Sequence, residues 1–346
     1  MKRGLNVIDL FCGAGGLSTG FSRAGFNVVV GVDSNERAIE TFLANHSESQ
    51  AILGDVTKLS SRDILEKTGL EKIDVIIGGP PCQGFSMAGK RRPNDPRNSL
   101  FREYLRIVRE LKPDCFVMEN VRGILSMKNE SGKSVIDIIL EEFRRLNYYD
   151  VELHSVNTAN YGVPQRRQRI FIIGVKRGYS FTFPYRTHSN KTSDNHLRPW
   201  KGIRDIILDR KKVPSKYFYS GKLINGFLRR EKKNKKRGMG FGWQFNKPDS
   251  PSYTISARYW KDGAESLIRY DEHNIRMLTP KECAAIQSFP KNYVFKGSEK
   301  ETYMQIGNAV PPLMAENIAL SIKKTLNLNL SHFVLVPIHN MIRTNV

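Results

Sequence analysis

From Asn6 to Val175 the chain alternates short β-branched runs with stretches of helical periodicity, and this alternation constrains the fold more than any other feature. Each helix-length connection lets successive strands run the same way, so the expected class is α/β, built on a doubly wound, mostly parallel sheet. Strands are expected at Asn6–Leu10, Val28–Val32, Ile73–Ile77, Cys115–Met118, Val151–Val156 and Ile170–Val175. Leu100, Tyr104, Ile107, Val108 and Leu111 recur at helical spacing until Pro113 stops them, and a second amphipathic helix is expected over about Ser134–Leu146.

Past Lys176 the alternation gives way to basic, aromatic sequence broken by Pro184, Pro199, Pro214 and the run Gly238-Met239-Gly240-Phe241-Gly242. Order returns near Ile275, with helices expected after Thr279-Pro280 and from Pro312 to Leu326. The expected division is a first domain over residues 1–175, a smaller second domain over 176–273, and a return segment over 274–326 that completes the first. Residues 327–346 form a tail to which no role is assigned.

Charge narrows the class of partner. The 55 Lys and Arg outnumber the 34 Asp and Glu, giving a net charge of +21 that calls for a polyanion such as nucleic acid or an acidic membrane surface. Between Lys201 and Gly240 alone there are 14 basic and 3 acidic residues, a net +11. No apolar run approaches the roughly 18 residues of a membrane span. The basic start Met1-Lys2-Arg3 is followed by an apolar stretch interrupted at Asp9, so no secretory leader is expected. Cys12, Cys82, Cys115 and Cys283 are too dispersed for a zinc site or redox dithiol; no metal is expected, and a reducing cytoplasm fits.

Three constellations carry chemistry. Asp9-Leu10-Phe11-Cys12-Gly13-Ala14-Gly15-Gly16 follows a strand and opens a helix, where bare amides can face a ligand. Ser18 occupies the place of the third glycine of a dinucleotide fingerprint, which argues against a nicotinamide cofactor. Asp33, ending the second strand, is suited to accept ribose hydroxyls, and Asp55 to take an adenine amino group. Second, Gly78-Gly79-Pro80-Pro81-Cys82-Gln83-Gly84-Phe85-Ser86 follows a buried strand; its prolines stiffen a loop that presents a thiol at the sheet edge, as a nucleophile needs. Third, Glu119-Asn120-Val121 ends the next strand at that same edge, and Arg167 and Arg169, two residues apart ahead of the last strand, are expected on one face as an anion or carbonyl clamp.

Together these blocks resemble the cytosine carbon-5 DNA methyltransferases of bacterial restriction-modification systems. The same order continues through Leu278-Thr279-Pro280, Glu282, Gln287 and Phe289-Pro290 to Gln305-Ile306-Gly307-Asn308-Ala309-Val310-Pro311-Pro312. The resemblance covers roughly Asn6–Val175 and Ile275–Leu326, and implies the S-adenosylmethionine-dependent methyltransferase fold with residues 176–273 as the target-recognition domain. It implies Cys82 as nucleophile, Glu119 at the cytosine ring nitrogen, and Arg167 and Arg169 at the ring carbonyl. It implies Phe11, Gly13, Gly15, Gly16, Asp33, Asp55, Val56, Pro80, Leu100 and Asn308 as the S-adenosylmethionine site. Gln83, Ser86 and Gln165, with Arg229, Arg230, Lys232, Lys233 and Tyr259 of the variable segment, are the expected contacts to double-stranded DNA. Trp243, Tyr253 and Trp260 join Tyr259 as aromatic positions able to shape a groove-facing surface. A monomer in the bacterial cytoplasm, paired in function with a restriction endonuclease, completes the expectation.

Overall fold

Strands buried on both faces are apolar at consecutive positions, as β4 (Val75–Gly78) and the first part of β5 (Cys115–Val121) are, while β1 (Asn6–Leu10) is buried throughout with Asn6 and Asp9 as its polar members. The computed structural model describes residues 4–81, 100–129, 131–191, 193–238 and 243–333, with side chains as far as 327. Chain order continues with α1 (Gly16–Arg23), β2 (Asn27–Asp33), α2 (Glu36–Asn45), β3 (Gln50–Leu53), α3 (Ser61–Thr68), α4 (Leu100–Leu111) and α5 (Val135–Arg144). The antiparallel pair β6 (Tyr149–Asn157) and β7 (Gln168–Lys176) follows. The order across the sheet is β3-β2-β1-β4-β5-β7-β6. The first five of these run parallel, while β7 lies antiparallel between β5 and β6.

The two-residue period of the strands sorts their side chains into two cores. On one face Val7, Val28, Val75, Ile77 and Val117 pack with Phe21 of α1 and Phe42 of α2. The same layer takes Met314, Ile318 and Ile322 from α9 (Pro312–Phe333), so the far end of the chain covers the strands of its beginning. On the other face Ile8, Leu10, Val30, Ile76, Phe116 and Met118 meet Ile64 of α3, Tyr104 and Val108 of α4, and Ile139 and Phe143 of α5. Each such side chain removed from water contributes about 1.5–3 kcal/mol.

A second lobe follows β7 and has its own core. Ile203, Val213, Tyr217, Ile255 and Ile268 pack there with Leu278, Cys283 and Ile286, and with Tyr303 and Ile306. The last five belong to α7 (Pro280–Ile286), α8 (Glu299–Asn308) or the approach to α7, so the segment expected to return to the first domain first helps build the second lobe. A fully buried ion pair, Arg276 to Glu282 at 2.8 Å, ties this approach together, and Glu282 also accepts the Leu208 amide. On the outside, α6 (Gly221–Lys236) buries only Ile224 and Phe227. Its Arg229, Arg230, Lys232 and Lys233 are exposed.

Candidate active site

Parallel strands bring their carboxyl ends to one edge, so the ends of β1, β2, β4 and β5 meet there whatever their distance in sequence. The β1 turn leaves the strand through Phe11, Gly13 and Gly15, whose φ values of 62°, 53° and 80° are left-handed, and enters α1 at Gly16. Asp33 Oδ2 accepts the Gly13 amide at 2.9 Å, and its Oδ1 accepts the Asn35 amide at 2.8 Å. Burial raises the Asp33 carboxyl above its usual range, against the pull of those amides. Asp55 caps the short turn Val56–Lys58 by accepting the Thr57 amide, which lowers its carboxyl.

These groups surround a cavity of about 800 Å³. Phe11, Gly13, Gly16, Asp33, Asp55, Val56, Pro80, Leu100 and Asn308 all line it. Gly15, the tenth residue expected there, instead turns its carbonyl to Thr19 Oγ1, 2.7 Å away. Met304 and Gln305 also form the wall; four and three residues before Asn308, they could have been found from helical spacing. The chemistry of this lining fits S-adenosylmethionine. Each oxygen of Asp33 keeps a lone pair for a ribose hydroxyl, the amino end of α1 suits a carboxylate, and Asp33, Asp55 and Glu119 suit a cation.

Glu119 and Arg169 line the same cavity. The β5–β7 register sets Arg169 opposite Val121, and Val121 and Glu119 share a face, so Arg169 falls diagonally beside Glu119. Arg169 Nε lies 2.8 Å from Glu119 Oε1, with both side chains about nine-tenths buried. Burial pushes the Glu119 carboxyl up, and Arg169 and Arg167 oppose it. Burial lowers both guanidiniums. Gly79 abuts this carboxylate, since a Cβ there would stand 3.1 Å from Glu119 Oε2. Asn120 Nδ2 donates to the Pro80 carbonyl at 3.0 Å, fixing the stem of the loop that continues to Cys82. Cys82, Gln83 and Ser86 lie outside the described residues.

Besides Gly15, three expected site residues stand elsewhere. Arg167 does not reach the cavity wall as a clamp: it is wholly buried, and its guanidinium donates to the carbonyls of Ile255 at 2.9 Å, Gly307 at 2.6 Å and Ala309 at 3.0 Å. It braces the segment carrying Asn308 against the second lobe. Gln165, expected at DNA, is also wholly buried, because residues 252–255 pack over it and the Ile255 amide donates to its Oε1. Tyr259 forms part of a core rather than a groove-facing surface. It donates to the Ser266 carbonyl at 2.6 Å and accepts the Leu278 amide at 2.8 Å. Gly307 meets the second lobe so closely that a Cβ would stand 2.3 Å from the Ser256 carbonyl, which only glycine permits.

Among the described residues, no group of three or more His, Cys, Asp or Glu is placed to hold a metal ion. No helix among them is long and apolar enough to cross a membrane.

Comparison with known proteins agrees with this geometry. The model of the C-5 cytosine-specific DNA methylase family matches residues 5–324. The type II methyltransferase M1.HphI of Haemophilus parahaemolyticus is 38% identical over 337 residues, covering 92% of this chain and 87% of that protein. The type II methyltransferase M.SsoII of Shigella sonnei is 36% identical over 324 residues, covering 93% and 80%. The crystal structure of the Schizosaccharomyces pombe Dnmt2 methyltransferase shares the fold, with a TM-score of 0.71 at 21% identity over 94% of this chain and 99% of that one. The chain belongs to the C-5 cytosine-specific DNA methylase family and is an S-adenosylmethionine-dependent DNA (cytosine-5-)-methyltransferase.

Proposed function

We propose that the chain is the modification enzyme of a restriction-modification system, methylating one cytosine of a short duplex sequence through a covalent Cys82 adduct. The observation that carries the residue roles is the Glu119–Arg169 pair, which opens into the same cavity as the glycine turn and Asp33, beside the stem of the Cys82 loop. A stacked cytosine cannot enter such a cavity, so the base must flip out of the helix at a cost of a few kcal/mol.

The Cys82 thiolate adds to carbon 6 of the flipped base, while Glu119 hydrogen-bonds or protonates ring nitrogen 3 and thereby draws charge from the ring. Arg169, held by Glu119, donates to the ring carbonyl and steadies the negative charge of the adduct. The glycine turn, Asp33, Asp55 and Asn308 would hold S-adenosylmethionine, which when bound would supply a methyl group to carbon 5, the carbon–sulfur bonding pair leaving with its sulfur as a neutral thioether. Water then takes the carbon-5 proton, the freed bonding pair reforms the carbon 5–carbon 6 double bond, and the Cys82 sulfur leaves carbon 6 as thiolate.

Residues 176–273 choose the sequence in this reading. The exposed Arg229, Arg230, Lys232 and Lys233 of α6 supply phosphate contacts, and specificity comes from side chains at base edges. The protein acts as a monomer in the cytoplasm, alongside an endonuclease that cuts the same site unmethylated. The test is a duplex carrying 5-fluorocytosine at the target. Fluorine cannot leave as the proton does, so wild type with S-adenosylmethionine should form a denaturation-resistant adduct that maps to Cys82. Cys82→Ala should form none, and absence of an adduct with wild type on its own site would sink the mechanism.

A further inference from the structure

The cofactor turn is held from behind as well as from the pocket, by residues outside the set assigned so far. Three residues within five, Phe11, Gly13 and Gly15, are left-handed, a conformation that glycine adopts freely but that Phe11 keeps only where its surroundings over-determine it. Asp33 restrains the pocket side through the Gly13 amide. On the opposite side the Tyr293 hydroxyl donates to the Ala14 carbonyl. Thr19 Oγ1, which donates to the Gly15 carbonyl, lies 3.4 Å from both His46 Nε2 and Tyr293 Oη. A Cβ on Gly15 would stand 2.7 Å from His46 Nε2 and 2.9 Å from Tyr293 Oη, so the two rings fill the space that its missing side chain leaves. His46 stacks on Phe42 with ring centroids 4.7 Å apart.

Tyr293 also opens a strap between distant parts of the chain. Asn45 at the end of α2 exchanges two hydrogen bonds with Val294, at 2.8 and 2.9 Å. The Lys296 amide donates to Thr41 Oγ1 at 2.8 Å, and its carbonyl accepts Gln305 Nε2 of α8 at 2.8 Å. Gln305 and Asn308 both face the cofactor cavity. Residues 293–296 therefore join α2, the glycine turn and α8.

We propose that Tyr293 is a positioning residue for S-adenosylmethionine, setting the peptide plane of the glycine turn through the Ala14 carbonyl. The C=O and N–H of a planar peptide point opposite ways. Holding the Ala14 carbonyl toward Tyr293 therefore keeps the Gly15 amide on the Cys12 carbonyl, 2.9 Å away, and with it the left-handed turn whose other side faces the pocket. The inference rests on assigning the cavity to S-adenosylmethionine.

The test is isothermal titration of S-adenosylmethionine into the full chain and three variants. Tyr293→Phe keeps the ring and removes one donor, and should weaken binding about tenfold, the effect of one lost hydrogen bond to a buried carbonyl. Its kcat at saturating cofactor and its affinity for DNA should be unchanged. Asn45→Ala loosens the strap at its other anchor without touching Ala14, and should leave cofactor affinity unchanged. Asp33→Ala reports the pocket itself and should weaken binding. A Tyr293→Phe variant with a lower melting temperature but wild-type cofactor affinity, or equal losses in Tyr293→Phe and Asn45→Ala, would overturn the positioning role. Wild-type affinity in Asp33→Ala would instead overturn the assignment of the cavity.

Discussion

Arg169→Leu strips the counter-charge from Glu119 while keeping most of the apolar stem. The pair is 2.8 Å apart and about nine-tenths buried on both sides. At that distance two unit charges attract by about 6 kcal/mol at an effective dielectric of 20. The cost of removing one partner from a buried pair is about 3–5 kcal/mol, because the other charge is stranded. Burial already raises Glu119 from its ordinary value of 4.5, and in the variant only Arg167 is left to oppose it. Stranding the charge pushes the Glu119 carboxyl further up in the direction that burial already drives it. The sign follows from linkage: below about 4.5 the carboxyl is protonated folded or unfolded and the penalty is absent, and it grows as pH rises toward the new folded value. Urea unfolding should therefore show a small deficit near pH 5 and a deficit of several kcal/mol near pH 8. Adding Glu119→Gln removes the stranded charge, and should recover most of the stability at pH 8 with no recovery of methyl transfer. A deficit that is equal at both pH values, or not relieved by Glu119→Gln, would refute the reading that Arg169 offsets the buried charge of Glu119.

Asp9 is wholly buried beneath the cofactor turn, where Ser18 Oγ donates to its Oδ2 at 2.6 Å, and burial raises its carboxyl to about 7. Ionising it in the folded state costs stability that accrues as pH rises from about 4 to 7, about 4 kcal/mol in all, so Asp9→Asn should flatten the decline in melting temperature over that range. Replacing Arg229, Arg230, Lys232 and Lys233 with Gln should reduce the slope of log DNA affinity against log salt by about 0.9 for each phosphate no longer neutralised. The methylated sequence, read by bisulfite sequencing of treated DNA, should not change. Tyr259→Phe strands the Ser266 carbonyl and the Leu278 amide, and should lower unfolding free energy by about 1–3 kcal/mol while DNA affinity is retained.

The parts of this molecule legible in its sequence are those fixed by local chemistry and by the geometry of parallel strands. The Phe11–Gly16 turn, Asp33 and Glu119 each follow an apolar run, and parallel packing alone brings such positions to one edge. The direction of β7 was not legible. Residues 168–176 are an apolar run whether they pair parallel or antiparallel, and the reversal that brings Arg169 to Glu119 comes from the pairing of β7 between β5 and β6. Alternation placed Arg167 beside Arg169 as a clamp. It is drawn inward by carbonyls 88, 140 and 142 residues away, which no local pattern records. Tyr259 sits in a basic, glycine-broken stretch that reads as surface, yet Ser266 and Leu278 satisfy its hydroxyl inside a core that the return segment helps to build. Tyr293 carried no signal at all, because its partner is a main-chain carbonyl 279 residues earlier.

The close approach at Gly307 sets a rule for exchanging specificity between relatives. A transplanted reading cassette would bring its own residues to the place of Ser256 and Ala257, where the backbone passes within 2.4 Å of an ideal Cβ built on Gly307. A cassette whose outgoing chain runs an ångström higher would open a gap beneath Arg167, and one running lower would press on the segment that carries Asn308. Compatibility of two such enzymes thus turns on the height of the backbone at Ser256 and Ala257 rather than on overall sequence identity. Grafts that retain residues 252–257 of the recipient and replace only what precedes them should keep their grip on the cofactor while changing the DNA they read.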